Sequence, residues 1–348
     1  MLLINYKPVL SQPTGIGVYA NSVLPAFDQF EHTLIPGGGS GSGKERLKRL
    51  AWSQFQLPRL AREWKADLIF TPAPEGYLGE QVVPQVVMAH DLRPLSHPEC
   101  SMQSIYFKCW VPKLLKQCKH ILANSKFTSL EIQRAIGVSP DKISVTPLGY
   151  DASHFYPLDT HKKLHLRPYL LHIGQAYPHK NLNRLIQSFN LIAKHFPDVD
   201  LILLGKPHPS ETRKLQQLVA ELNLNERIIF KSYAPYSDLP DWYRGALAFV
   251  YPSLWEGFGL PILEAMACGC PVVTSFGSAT QEVAQESTLL IDPYSIKELS
   301  KAMVRLLESQ ELRRDLTIGG LKVSCNYSWR DCAKKTSSCL TDLLEATP

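Results

Sequence analysis

The sequence predicts an α/β protein made of two doubly wound domains, each a parallel sheet flanked by helices. Three observations predict it. The chain's 348 residues exceed the span over which one hydrophobic core usually grows. Short apolar runs alternate with stretches of helical periodicity along nearly its whole length, as parallel strands joined by crossover helices require. The segment YDASHFYPLDTHKKLHLRP at 150–168, polar, rich in histidine and bounded by prolines, divides that pattern in two as a linker would.

Strands are expected near 2–5, 67–70, 85–89, 120–123 and 143–146 in the first half, and near 169–173, 200–204, 227–230, 246–250 and 271–274 in the second. Each is followed by a turn and usually a helix. GIGVYA (15–20) opens a helix over 16–30. Asn181 is placed to cap the helix after PHK. In the second half ALAFVY is a buried strand, and Pro261 suits the first turn of a helix, where its missing N–H is not needed. Gly269 ends that helix before the strand PVVTS. Glu256 then falls in a strand-to-helix loop and Glu264 in the first helical turn.

Composition excludes several classes. Apolar residues make up 45% and charged residues 20%, as in an ordinary globular protein rather than a disordered one. No segment approaches the roughly 18 consecutive apolar residues of a membrane span, and the N-terminal apolar stretch is too short for a signal peptide core. A cytoplasmic protein is expected, its eight cysteines reduced and mostly buried since none has CxxC spacing. Cys325, Cys332 and Cys339 recur every seven residues and read as one packed helix face. The net charge of +5 is mild and lacks the interleaved basic and aromatic pattern of a nucleic-acid surface, so no nucleic-acid partner is expected. Two basic stretches stand out: KERLKRLAWSQFQLPRLAREWK (44–65), with seven Lys or Arg against two Glu, and FKCWVPKLLKQCKH (107–120). Each is either a solvated helix face or a surface for peripheral contact with an anionic membrane or a lipid-linked substrate.

Ligands of doubly wound sheets bind beyond the carboxyl ends of the strands, here in a cleft between two facing domains. That rule sorts the motifs. GGGSGSGKE (37–45) approaches a phosphate loop, but Glu45 stands where a magnesium-binding Ser or Thr is needed, so a loop is expected. DVD (198–200) precedes its strand and reads as a turn. His161 and His165 have i, i+4 spacing but lack further ligands, and no metal site is expected. GIGVYA matches a dinucleotide fingerprint only formally, because no Asp or Glu lies about 20 residues beyond it. Its glycines still open a helix whose free N–H groups suit a phosphate or a sugar.

Three places satisfy the rule. Lys180, preceded by His179, sits at the positive end of a helix, where a cation is disfavoured by up to about 1 kcal/mol unless an anion binds beside it. His90 and Asp91 end an apolar strand of the first domain. Glu256, next to Gly257, Phe258 and Gly259, is suited to accepting hydrogen bonds from hydroxyl groups, and Glu264 supplies a second acceptor. Two acceptors so spaced fit the ribose and the hexose of one extended molecule, with Lys180 and helix N-termini holding a diphosphate between them.

EGFGLPILE (256–264) matches an E-x7-E motif and PHKNL (178–182) resembles a P-R-K-N segment. TGIGVYA, WSQFQLP, HDLRPLSHPE, ANSKFT and QEVAQESTLLIDP extend the likeness over almost the whole chain. The sequence resembles the retaining nucleotide-sugar glycosyltransferases of family four, the group 1 glycosyltransferases. That resemblance implies the GT-B fold: an acceptor-binding Rossmann-like domain at 1–155, a nucleotide-sugar-binding Rossmann-like domain at 156–325, and a closing helix at 326–348 returning to the first. It further implies hexose transfer without a cofactor or required metal from a UDP- or GDP-sugar to a saccharide or lipid-linked acceptor, in polysaccharide or glycoconjugate synthesis. Glu264 would bind the donor ribose, Glu256 the hexose hydroxyls, and the backbone of Phe258, Gly259 and Leu260 the sugar. Lys180 would neutralise the leaving diphosphate, His90 would meet the hexose near the transfer site, and Gly17 would approach the phosphates. One departure concerns the donor residues after Gly174: Gln175 stands where many members have an arginine, and His179 replaces another, so stabilisation of the leaving group either leans on Lys180 and backbone donors or is assisted by His179 when protonated. Two other readings are a catalytically idle protein that senses nucleotide sugar, and a glycosidase using Glu256 and Glu264, which would need carboxyls about 5 to 5.5 Å apart.

Overall fold

The structure, a computed structural model, describes residues 1–10, 15–38, 43–96 and 102–346. It divides into two compact units, Met1–Gly149 with Trp329–Pro348, and Tyr150–Ser328.

The first unit holds a six-stranded parallel sheet: β1 (Leu2–Asn5), β2 (His32–Ile35), β3 (Leu68–Thr71), β4 (Gln85–Ala89), β5 (His120–Ala123) and β6 (Ile143–Val145), in the order β2-β1-β3-β4-β5-β6. The second holds β7 (Tyr169–Ile173), β8 (Asp200–Leu204), β9 (Ile228–Lys231), β10 (Ala248–Tyr251), β11 (Val272–Ser275) and β12 (Leu289–Ile291), in the order β12-β11-β10-β7-β8-β9. Helices cover both faces, so central strands such as β3, β4, β8 and β10 are buried at every residue and carry continuous apolar runs rather than alternation. The fold class expected from the sequence is the one observed.

Two strands were not expected. β2 and β12 are sheet edges, and each buries only its last residue, Ile35 or Ile291. β2 reads HTLI, half polar, and β12 reads LLI, a run of only three residues.

Local chemistry corrects four further expectations. The helix expected over 16–30 stops at Val23 and becomes a 3-10 turn, Leu24–Phe27, because Pro25 has no N–H to continue the ladder and restricts the residue before it. The acid of the DVD run is no turn residue: Asp200 begins β8, is buried, and is held by Arg227 Nε at 3.1 Å, His165 Nε2 at 2.8 Å and Arg167 Nε at 3.4 Å. The three cysteines do not share a helix face. Cys325 follows the Gln310–Ser324 helix and is exposed, whereas Cys332 and Cys339 lie on the Trp329–Glu345 helix. Glu264 is the fifth residue of the Leu260–Ala267 helix, just past its first turn. All seven cysteines among the described residues are free thiols.

Gly269 does end that helix. Its φ is 76°, in the left-handed region that favours glycine, and the Gly269 N–H donates to Met266 O at 3.0 Å while Cys270 N–H donates to Ala265 O at 2.9 Å, the paired bonds of a Schellman motif. The Trp329–Glu345 helix packs on the Gly15–Val23 helix of the first unit, with Tyr19 and Thr336, both fully buried, in contact through their hydroxyls at 3.5 Å. Of GGGSGSGKE, residues 39–42 lie outside the described residues, as do Thr14 of TGIGVYA and residues 97–99 of HDLRPLSHPE.

Candidate active site

In the second sheet the chain leaves β7 toward β8 and β9, then returns to the other side of β7 for β10, β11 and β12. The crossovers diverge between β7 and β10, so their carboxyl ends open a crevice that no connection covers. Lys180 and Glu256 meet there. Lys180 ends the 3-10 turn Pro178–Lys180 after β7, and its Nζ donates to Glu256 Oε1 at 2.6 Å and to the Tyr251 hydroxyl at 2.5 Å. Gly174 lines the same place, since a Cβ there would stand 3.7 Å from Lys180 Cε.

Backbone and amide bonds fix this corner. Leu254 N–H donates to His179 O at 2.7 Å. Asn181 occupies the expected capping position with φ 61°, but it does not cap. Its Nδ2 instead donates to Pro252 O at 3.0 Å and Pro293 O at 2.6 Å, tying the loops after β7, β10 and β12 together.

The electrostatics follow from that geometry. Burial opposes ionisation of Glu256, yet attraction to Lys180 and His179 holds the carboxyl below its ordinary range. Burial likewise opposes the charge on Lys180, and Glu256 and Tyr251 outweigh it, so the ammonium is retained more firmly than usual. The anion that the position of Lys180 called for is therefore Glu256 itself. Both side chains are mostly buried, at 13% and 14% exposed, so removing either one would leave a buried charge without its partner.

Glu264 stands apart from that pair. It accepts a bond from the Tyr243 hydroxyl at 3.0 Å, and burial drives its carboxyl up from 4.5 to about 7. Phe258 is buried edge-on against Tyr327, and Gly259, at φ 116°, precedes the Leu260–Ala267 helix without a side-chain cap. In the first turn of that helix Pro261 has no N–H and Ile262 N–H donates to Gly259 O at 2.9 Å, which leaves the Leu260 N–H without an intrahelical acceptor. Gln175 follows Gly174, where its carbonyl accepts from Tyr177 N–H at 2.7 Å.

The first unit presents a separate cavity of about 260 Å³ at the carboxyl ends of β1, β3 and β4, lined among others by Ile16, Glu75, His90 and Asp91. His90 Nε2 donates to Pro72 O at 2.9 Å, its ring meets Tyr19 edge-on, and burial lowers it to about 4. The imidazole is neutral at pH 7, with Nδ1 left as an acceptor. Gly17 is buried on the helix that carries Tyr19.

Sequence reasoning did not select Tyr251, Tyr243 or His172. Tyr251 is the last residue of β10, so the carboxyl-end rule applied one residue earlier would have found it. His172 lies inside β7; its Nδ1 donates to Val250 O at 2.9 Å, its Nε2 is buried without a hydrogen-bond partner among the described residues, and burial lowers it to about 4. Among the described residues no group of three or more His, Cys, Asp or Glu is arranged to hold a metal ion.

Residues 159–323 match the family described as Glycosyl transferases group 1, and residues 17–154 match Glycosyltransferase Family 4. The O-antigen chain mannosyltransferase B of Escherichia coli is 31% identical over 300 residues, covering 83% of this chain and 76% of its own length. The chain belongs to the group 1 glycosyltransferases. This glycosyltransferase is also 31% identical over 219 residues to the O-antigen chain mannosyltransferase RfbU of Salmonella typhimurium, covering 63% of itself and 60% of that protein. Among solved structures, sucrose-phosphate synthase from Thermosynechococcus elongatus superposes with a TM-score of 0.82 at 20% identity, covering 99% of each chain. The Anabaena Alr3699/HepE complex with UDP-glucose superposes at 0.79 with 18% identity, covering 98% of the glycosyltransferase and 99% of that chain. At such identities the likeness establishes the GT-B fold of two Rossmann-like domains.

Proposed function

We propose that this glycosyltransferase moves a hexose, with retention of configuration and no required metal, from a nucleotide diphosphate sugar onto a saccharide or lipid-linked acceptor. The carrying observation is the Lys180 ammonium shared between Glu256 and Tyr251 where β7 and β10 end. Mannose is the hexose, in the synthesis of an O-antigen-like polysaccharide, because the Escherichia coli and Salmonella typhimurium relatives are named O-antigen chain mannosyltransferases.

In this reading the donor diphosphate takes Lys180 from Glu256. With Lys180 engaged by the diphosphate, Glu256 accepts hydrogen bonds from the hexose hydroxyls, and Glu264 accepts those of the ribose. The N–H groups at Phe258, Gly259 and Leu260 face the sugar, while Gly174, Gln175 and His179 lie along the diphosphate. The bond from the anomeric carbon to the phosphate oxygen breaks as the acceptor oxygen bonds to the same face, and the acceptor proton passes to the departing phosphate. Lys180 stabilises the charge that grows on that leaving group, the kind of preorganised contact whose loss costs 10²-fold or more in turnover. In the first unit, the domain proposed to bind the acceptor, Gly17 stands in the first turn of a helix whose N–H groups suit a phosphate. Neutral His90 accepts a hydroxyl bond rather than supplying positive charge.

Nucleotide release from GDP-mannose and UDP-glucose in the presence of a saccharide acceptor tests this. Lys180→Ala and Glu256→Ala should each lower turnover by about 10²-fold or more. Wild-type turnover in either folded variant would refute the assignment, and tight nucleotide binding without release for any donor would favour a sensing protein, as Gln175 in place of the arginine permits.

A further inference from the structure

The first unit carries an apolar groove that the donor chemistry leaves unused. It measures about 490 Å³, runs between the Gly43–Glu63 and Met102–Cys109 helices, and has Leu47, Leu50, Phe55, Ile105, Tyr106 and Trp110 on its walls, within the size range of small-ligand sites. Leu47, Phe55 and Ile105 are 51%, 71% and 56% exposed. A single exposed apolar side chain is ordinary, whereas several along one groove mark a surface with a partner.

The sequence of the longer helix builds this deliberately. Ser53, Leu57 and Ala61 are fully buried at four-residue intervals, and that stripe serves the core. Leu47, Leu50, Ala51, Gln54 and Phe55 follow the same helical spacing on another face and form a second stripe. Opposite them the Tyr106 and Trp110 rings stack at 6.4 Å, and the Tyr106 hydroxyl is turned away to donate to Pro74 O at 2.6 Å. The Tyr106 hydroxyl is thus taken up outside the groove, while Trp110 Nε1 is buried without a hydrogen-bond partner among the described residues.

The groove also leads somewhere. Arg46 and Tyr106 line both it and the cavity that holds His90 and Asp91. Within that cavity Arg49 is held by both oxygens of Glu75 at 2.7 Å, so its charge is compensated. Arg46 takes part in no ion pair among the described residues. A guanidinium without a carboxylate thus stands where a polar cavity passes into an apolar channel.

We propose that the groove seats the hydrocarbon tail of the acceptor, a lipid joined to its saccharide through a phosphate. The phosphate pairs with Arg46, the sugar lies toward His90 and Asp91, and the tail runs along Leu47, Phe55, Ile105 and Trp110. This deepens the reading of the chain as a glycosyltransferase and rests on it. Continuity with the polar cavity assigns the groove to one substrate molecule, and a charge placed at the junction suits a chain that carries its anion at one end.

The test is calorimetric titration of the full chain with farnesyl phosphate, farnesol and inorganic phosphate, each below micelle-forming concentration. Farnesyl phosphate should bind at least tenfold tighter than either fragment. Phe55→Asp combined with Ile105→Asp should weaken farnesyl phosphate at least tenfold and leave inorganic phosphate unchanged, and Arg46→Gln should weaken both phosphates and spare farnesol. Thermal shift with GDP and UDP, run on every variant, shows that each is folded and reports the donor site separately: loss of nucleotide binding by the wild-type chain would count against the glycosyl-transfer reading, not against the groove. Farnesyl phosphate binding no tighter than its fragments, or wild-type affinity in the double variant, overturns the proposal. So does a double variant that loses sedimentation with phosphatidylglycerol vesicles but keeps its farnesyl phosphate affinity, because the groove would then be a bilayer-docking face.

Discussion

Glu264→Gln should make this protein more stable at alkaline pH. Burial drives the Glu264 carboxyl up from 4.5 to about 7, although the Tyr243 hydroxyl at 3.0 Å works the other way. In the unfolded chain the same group titrates near its ordinary value of about 4.3. Between those two values the folded protein keeps a proton that the unfolded chain has lost, so stability falls as pH rises through the window. The contribution is whole below the unfolded value and gone above about 7. At about 1.36 kcal/mol per pH unit, the loss across that interval comes to about 3.7 kcal/mol. Gln is neutral and nearly isosteric, and its amide oxygen still accepts from Tyr243. The variant should therefore match the wild type within about 1 kcal/mol at pH 5 and exceed it by about 2 to 3 kcal/mol at pH 8.5. Guanidinium unfolding followed by tryptophan fluorescence across that pH range gives the comparison. Parallel curves would show that Glu264 ionises without penalty and would refute the burial argument. If the carboxylate binds a ribose as proposed, the more stable variant also loses nucleotide affinity, and wild-type affinity declines as pH drops below about 7, a stability cost kept for function.

Two further outcomes follow from buried polar contacts. Asn181→Asp turns an acceptor toward Pro252 O and Pro293 O and should cost about 3 kcal/mol, while Asn181→Gly, which keeps the φ of 61° without strain, should cost less; equal unfolding midpoints for the two variants would contradict the tie between loops. Asp200→Asn removes the charge that faces Arg227, His165 and Arg167 and should cost about 3 kcal/mol, yet nucleotide affinity should not move because the residue sits at the amino end of β8.

Most of the architecture was legible because strands buried on both faces are largely apolar, and ten of the twelve strands were expected near their observed places. β2, half polar as HTLI, and β12, a run of only three residues, were not. The site was legible where one rule, that ligands gather beyond strand ends, met a residue type odd for its place. Lys180 at a helix start and Glu256 between glycines are such cases. Their pairing was not legible: 75 residues lie between them, and only the reversal of strand order at β7 and β10 makes them neighbours. Asn181 misled because its position fixed the cap while its amide answered to two distant carbonyls. Asp200 misled in the other direction, since nothing nearby in the chain announces the three basic partners that make a buried acid tolerable.

The helix Trp329–Glu345 belongs with the first unit although Tyr150–Ser328 stands between them in the chain. The first unit therefore cannot close over Tyr19 until the whole of the second has been synthesised. For as long as that takes, the apolar seam of the early half is open to water, and any chaperone that guards this chain during synthesis has its work there.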